Sequence, residues 1–241
     1  MSDVSEDRLY GGKVILRQPA AGYRANVDTI LLAAAVTDAE TLLEAGCGVG
    51  GALLCAAQRF PQSRFLGVER DPAYAELARE NVASNGGGNR IEIITADILG
   101  EQAPRGPFDG VFLNPPFDTP GRGRLPAEER RAAHVADEPV EIWVKVLSDR
   151  MRGGAALTMI HRADALQDIL AALAGRLGGI AVYPVRPRAG EAAKRILIRA
   201  VKGSRAPLRL LHGLDLHDAS GAKYAPAADA ILKGDAAISW D

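Results

Sequence analysis

The chain predicts an α/β fold, a doubly wound, mostly parallel seven-stranded sheet with helices on both faces. Three observations carry that expectation. Apolar, strand-like runs alternate with helical stretches from residue 41 onward, the pattern of a parallel sheet with crossover helices. A glycine-rich turn, Gly46-Cys47-Gly48-Val49-Gly50-Gly51, joins the first of those strands to the helix that follows it. Four polar residues, Glu44, Glu69, Asp97 and Asn114, fall at the carboxyl ends of successive strands. Open parallel sheets bind their ligands beyond those ends.

Element by element, residues 1–20 read as an irregular lead-in with a short strand at 13–16. Asn26 or Asp28 is placed to cap a helix running to Val36. Then come strand 41–46, helix 51–60, strand 64–69 and helix 72–84. Asp71-Pro72 is a strong helix start, with Asp as cap and Pro at the first position. Gly86-Gly87-Gly88 stops that helix. Strands 91–96 and 109–113 follow. The polar, Arg-rich segment 118–136 exceeds the usual connection length and reads as a lid that orders on substrate. Helix 138–150, strand 155–160 and helix 163–175 come next. Strands 179–184 and 194–201 are expected to form an antiparallel pair. A hairpin is expected around Ala219-Ser220-Gly221, then a short helix 226–233. The whole reads as one domain, 1–241, with a lead-in over 1–40 and a C-terminal extension over 203–241.

Composition narrows the class. The chain has 241 residues, of which 47% are hydrophobic, enough for a sizeable core. Two cysteines, Cys47 and Cys55, allow no disulfide framework, which suits a reducing cytoplasm. No apolar run is long enough to span a membrane. The polar, acidic start Met1 to Arg8 is unlike a secretory signal. His134, His161, His212 and His217 have no ligand spacing, so no metal site is expected. Net charge is −1, but the basic residues cluster. Arg186, Arg188, Lys194, Arg195, Arg199, Lys202, Arg205 and Arg209 form one set; Arg122, Arg124, Arg130 and Arg131 form another. Such sets flanking a catalytic loop suit contact with phosphates, and binding that weakens with salt.

The chemistry-bearing motif is Asn114-Pro115-Pro116-Phe117, at the end of the apolar run Gly110 to Leu113. Two prolines stiffen the turn and remove two backbone donors. An amide side chain, a free carbonyl and an aromatic ring then stand together, suited to a flat group that carries an NH2. The glycine turn is ambiguous. As Gly46-x-Gly48-x-Gly50 it fits a methyl-donor loop, and as Gly46-x-Gly48-x-x-Gly51 it fits a dinucleotide fingerprint. Glu69 suits ribose hydroxyls in either case. Glu44, Asp97 and the Asn114 turn favour the first.

With these residues in place, the chain resembles the class I S-adenosylmethionine-dependent methyltransferases, Rossmann-like enzymes, in their amino-methylating group. Within it, the chain is similar to bacterial tRNA(Val) adenine-N6 methyltransferases. Gln18-Pro19, Gly22-Tyr23-Arg24 and Asp28 to Ala33 resemble that family's opening segment. Leu216-His217-Asp218, Gly221 to Tyr224 and Leu232-Lys233-Gly234 resemble its close. Phe117 stands where the family often has Tyr, keeping a stacking surface without the hydroxyl. The resemblance implies S-adenosylmethionine as cofactor and RNA, most readily tRNA, as partner. It implies catalytic roles for Asn114, Pro115, Pro116 and Phe117. Cofactor contacts fall to Asp28, Glu44, Ala45, Gly46, Gly48, Gly50, Glu69, Arg70, Asp97, Ile98 and Asn114. RNA contacts fall to Arg122, Arg124, Arg130, Arg131, Arg186, Arg188, Lys194 and Arg195. Alternatives are a guanine-N2 ribosomal RNA methyltransferase and a protein glutamine-amide methyltransferase. From other classes come a nicotinamide-dependent oxidoreductase and a non-catalytic RNA-binding module.

Overall fold

A computed structural model of the chain describes residues 4–20, 24–116 and 138–241. The expected Phe117, lid 118–136, Arg122, Arg124, Arg130, Arg131 and His134 lie outside the described residues, as do Gly22 and Tyr23.

The strands are β1 (Val4–Leu9), β2 (Val14–Pro19), β3 (Thr41–Ala45), β4 (Arg64–Glu69), β5 (Ile91–Thr95), β6 (Phe108–Leu113), β7 (Met151–Arg162), β8 (Leu177–Arg186), β9 (Arg195–Lys202), β10 (Arg209–Leu210) and β11 (Leu214–Asp215). The helices are α1 (Val27–Ala35), α2 (Gly51–Arg59), α3 (Pro72–Ser84), α4 (Val140–Asp149), α5 (Leu166–Leu173) and α6 (Pro226–Leu232). The main sheet runs β10-β8-β9-β7-β6-β3-β4-β5, with β11 also on β8. Seven long strands make its body, and β9 is antiparallel to both neighbours. The expected mostly parallel sheet is therefore present. The order turns back between β3 and β6, which pair directly and open the crevice at their carboxyl ends.

Strand alternation builds two apolar layers. Leu42, Phe112, Ile160 and Leu197 face one, with α1, α2, α3 and α6. Leu43, Val111, Leu113, Leu157 and Met159 face the other, with α4 and α5. Gly67 allows the first layer to close. A Cβ there would come within 2.7 Å of Ile93 Cδ1, 2.8 Å of Cys47 Sγ and 2.9 Å of Leu53 Cδ1.

The lead-in is more ordered than expected, because β1 pairs antiparallel with β2 along its whole length. Side chains then extend β2. Asn85 accepts from Ile15 N at 3.0 Å and donates to Ile15 O at 2.7 Å. Asn81 does the same with Arg17, at 2.8 Å each way, and also donates to Val49 O at 3.0 Å. These amides satisfy strand groups that would otherwise be left open. The C-terminal extension seals α1. Trp240 Nε1 donates to Ala35 O at 2.8 Å and Ile238 N to Ala34 O at 3.0 Å, meeting carbonyls that the end of the helix leaves unpaired.

The other departures are local. Strand 155–160 begins earlier, at Met151. Helix 163–175 opens as a 3-10 turn, and its α part ends at Leu173. The hairpin around Ala219-Ser220-Gly221 is a turn instead, since Asp218 accepts from the backbone and hydroxyl of Ser220. An Asx-type bond of that kind reverses the chain without strands.

Candidate active site

The glycine turn is built for close approach. Gly46, Gly48 and Gly50 have φ of +70°, +54° and +84°, a region other residues avoid. Gly46 N and Cys47 N donate to Val68 O at 2.9 and 3.0 Å, so the turn is fastened to β4. A Cβ on Gly48 would meet nothing within 4 Å among the described residues. α2 starts from Gly50 with no side-chain cap, which leaves its first N–H groups to a ligand.

Glu69 braces this turn. One carboxylate oxygen accepts from Gly48 N at 2.8 Å and the other from Asp71 N at 2.9 Å. Each oxygen keeps a lone pair for a hydroxyl. Glu44 lies beneath, 3% exposed, with Oε2 lacking a partner among the described residues. Burial pushes its carboxyl well above the usual 4.5, a backbone hydrogen bond at Leu53 opposes, and the charge of Glu69 adds to the rise. Arg70 also has a buried nitrogen, Nη2, without a partner among the described residues. Asp97 is exposed just past β5 and accepts from Leu99 N at 2.9 Å, with Ile98 buried beside it.

The turn after β6 arrives at the same place. Leu113 pairs with Ala45 on one side and Met159 on the other, so Asn114 emerges in register with Gly46. Asn114 is half-buried, Pro115 buried and Pro116 exposed. Trp143 of α4 forms a wall that sequence reasoning missed. Its ring carbon Cη2 would lie 3.7 Å from a Cβ on Gly46. One aromatic on an amphipathic helix carries no signal to separate it from ordinary core.

Asn26, not Asp28, caps α1, accepting from Asp28 N at 2.8 Å. The Asp28 carboxylate instead pairs with Arg195 Nε at 2.7 Å. It lies by the glycine turn, since its neighbour Thr29 abuts Gly51 at the start of α2. An expected cofactor residue and an expected RNA residue are thus joined.

The basic segment divides. Because β9 is antiparallel, Arg195 pairs with Val185 and Arg162 at the carboxyl edge of the sheet, while Lys202 pairs with Leu177 at the opposite edge. Arg186, Arg188, Lys194 and Arg195 therefore share the edge of Asn114. Arg186 is held by Asp215 at 2.5 Å, and Arg188 is 3.6 Å from Glu191. Lys202 donates to Ser148 O at 2.7 Å and Met151 O at 2.8 Å, tying down the end of α4. Cys47 and Cys55 are buried thiols, both pushed upward by burial. Among the described residues no group of three or more His, Cys, Asp or Glu is placed to hold a metal ion. No helix among them is long and apolar enough to cross a membrane.

A turn of three left-handed glycines, acids at the ends of the flanking strands and an open cradle at Gly48 fit S-adenosylmethionine. The unpartnered Glu44 Oε2 in particular fits a ligand that carries an ammonium. The fold and site are those of a class I S-adenosylmethionine-dependent methyltransferase. Residues 42–133 match a family described as a methyltransferase domain. The chain is 32% identical over 195 residues to a tRNA1(Val) (adenine(37)-N6)-methyltransferase of Porphyromonas gingivalis, spanning 75% of each. It is 29% identical over 179 residues to the protein of that name from Bacteroides thetaiotaomicron, covering 73% of this chain and 75% of the other. Among solved structures, a predicted O-methyltransferase of Agrobacterium tumefaciens superposes with a TM-score of 0.73 at 30% identity. That match covers 88% of this chain and 98% of the other. The chain belongs to the tRNA1(Val) (adenine(37)-N6)-methyltransferase family.

Proposed function

We propose that this protein transfers a methyl group from S-adenosylmethionine to the exocyclic N6 amine of an adenine in RNA, with tRNA as the substrate and the cytoplasm as its place of action. The observation that supports the reading is that Leu113 pairs with Ala45, so that Asn114 follows opposite Gly46. Relatives named as tRNA and ribosomal RNA N6-adenine methyltransferases support the choice of base.

The donor supplies an already electrophilic methyl on a sulfonium. The residues of this chain address the nucleophile. The N6 lone pair of adenine is delocalised into the ring and attacks poorly. The Asn114 side-chain oxygen and the Pro115 carbonyl accept the two amine hydrogens. That draws the nitrogen toward tetrahedral geometry and stabilises the charge developing on it. Both are neutral acceptors, and no strong base is needed, because methylation itself acidifies the N–H. Phe117 stacks on the base, which must leave its own stack to reach the turn. Glu44 and Asp28 receive the methionine end of the donor, Glu69 the ribose hydroxyls, and Asp97 with Ile98 and Arg70 the adenine end.

The solved relative described as a predicted O-methyltransferase raises a hydroxyl as the alternative acceptor. A hydroxyl has one hydrogen and calls for a base, whereas the Asn114 turn presents two neutral acceptors. Incubation with tritium-labelled S-adenosylmethionine and total bacterial tRNA, followed by nucleoside mass spectrometry, decides the matter. Label in N6-methyladenosine is the expected result. Label in N2-methylguanosine or a 2′-O-methyl nucleoside overturns the choice of atom. Label only in protein overturns RNA as substrate.

A further inference from the structure

A trough of about 1010 Å³ lies between β11, α6 and the last residues of the chain. None of the roles assigned above uses it. Its walls are mostly methyl groups, among them Ala227 and Ala230, interrupted by the rings of His212 and His217 and by Arg188 at the rim. We propose that this trough receives a second, unstacked base of the RNA strand, a few nucleotides from the one held at Asn114. The proposal rests on the RNA reading given above.

Placement is the first support. β11 pairs with Val185 and Arg186, at the carboxyl end of β8. The end of the trough at Arg188 and His217 therefore lies on the same sheet edge as Asn114, with β8, β9 and β7 between. Four strand spacings separate β11 from β6, about 19 Å. A few nucleotides of single strand cover that distance. The interval is lined with cations suited to the backbone. Lys194 is exposed there, Arg188 is exposed 3.6 Å from Glu191, and Arg195 at the start of β9 is paired with Asp28. A positively charged path ending in a stacking surface is the usual way of holding single-stranded nucleic acid.

The ring of His217 is the second support. Its Nδ1 lies 2.6 Å from Lys223 O. A carbonyl only accepts, so Nδ1 carries the proton and Nε2 of the neutral ring is an acceptor. The ring is also stacked on Tyr224, with centroids 5.5 Å apart and planes at 15°. Its backbone N–H donates to Pro187 O at 2.9 Å, which ties this wall to Arg188. His217 is thus a pre-oriented acceptor beside an apolar surface. A nucleobase offers what such a site takes, a flat face and an edge N–H. Two acids line the trough: Asp215 is paired with Arg186, and Asp218 accepts from the backbone and hydroxyl of Ser220.

The test is an abasic scan. An RNA hairpin that the full chain methylates is remade with abasic ribose at one position at a time around the target adenine. In the wild type, one flanking abasic position is expected to raise the KM for RNA about tenfold, the scale of losing one stacked base. In His217→Ala, and separately in Ala227→Trp, which fills the trough from an exposed helix position, that position should cost less than twofold. The KM for S-adenosylmethionine should stay within twofold in both. Equal costs at every position in the wild type and both variants overturn the proposal while leaving RNA methylation standing. So does restoration of the flank effect in Ala227→Trp, the variant least able to disturb the fold. Absence of turnover on every RNA removes the RNA reading, and the trough proposal with it.

Discussion

Asn114→Ala tests the centre of the mechanism. Asn114 stands at the end of a strand locked on both sides, by Ala45 and Met159 through Leu113, and is followed by the buried Pro115. Truncating its side chain removes one of the two acceptors and leaves the turn and the other acceptor in place. Loss of one pre-positioned hydrogen-bonding group at a developing charge costs about 2.7–4 kcal/mol, or roughly 10²–10³ in kcat. The other proposed cofactor residues lie away from β6, so the Kd for S-adenosylmethionine should change less than twofold. Asn114→Asp keeps an oxygen and should recover part of the rate. The assay is single-turnover methylation of tRNA alongside calorimetric titration of the cofactor. A loss of cofactor affinity that accounts for the whole rate effect would refute the reasoning and make Asn114 a binding residue. A fall in kcat of less than about tenfold would also refute it.

Three further outcomes follow from the geometry. The carboxyl of Glu44 is raised in the folded chain, so its contribution to stability is full below about pH 4.5 and is lost as pH rises through the raised value. Glu44→Gln should remove that part of the pH dependence of the melting temperature without cofactor; identical pH profiles would show that Glu44 is not its source. Gly67→Ala drives a methyl into Ile93, Cys47 and Leu53 and should cost about 1–3 kcal/mol. At roughly 2–4 °C per kcal/mol for a chain of this size, calorimetry should show the drop, and an unchanged melting temperature would mean that the side chains around Gly67 yield freely. Lys194→Ala should reduce the slope of log K against log salt for RNA binding by about 0.7, while Lys202→Ala lowers stability and leaves the slope alone. Equal slopes for the two variants would deny the division of the basic segment between the two edges.

Much of the frame was legible in the chain itself. Asp71-Pro72 predicted the start of α3, and both residues stand where expected, with Asp71 accepting from Ala73 N at 2.8 Å. β4 runs over 64–69 as its apolar run indicated. Such signals are local, carried by residues a turn or a pleat apart. What was missed depended on distant partners. β1 has alternating exposure and few apolar residues, and pairing with β2 is what orders it. Asn81 and Asn85 clasp β2 from 64 and 70 residues away, contacts that no local pattern announces.

The same division holds for the site. Sequence alone determined which residue types stand at the carboxyl strand ends, because strand polarity and the period of two place an end residue without knowledge of neighbours. It likewise determined the stiffness of the Asn114 turn, which is covalent in origin. Only the tertiary structure decided how strands order side by side. That order set Asn114 against Gly46, placed Trp143 behind the turn and joined Asp28 to Arg195. Strand order is a property of non-local pairing, and no window of the chain contains both partners.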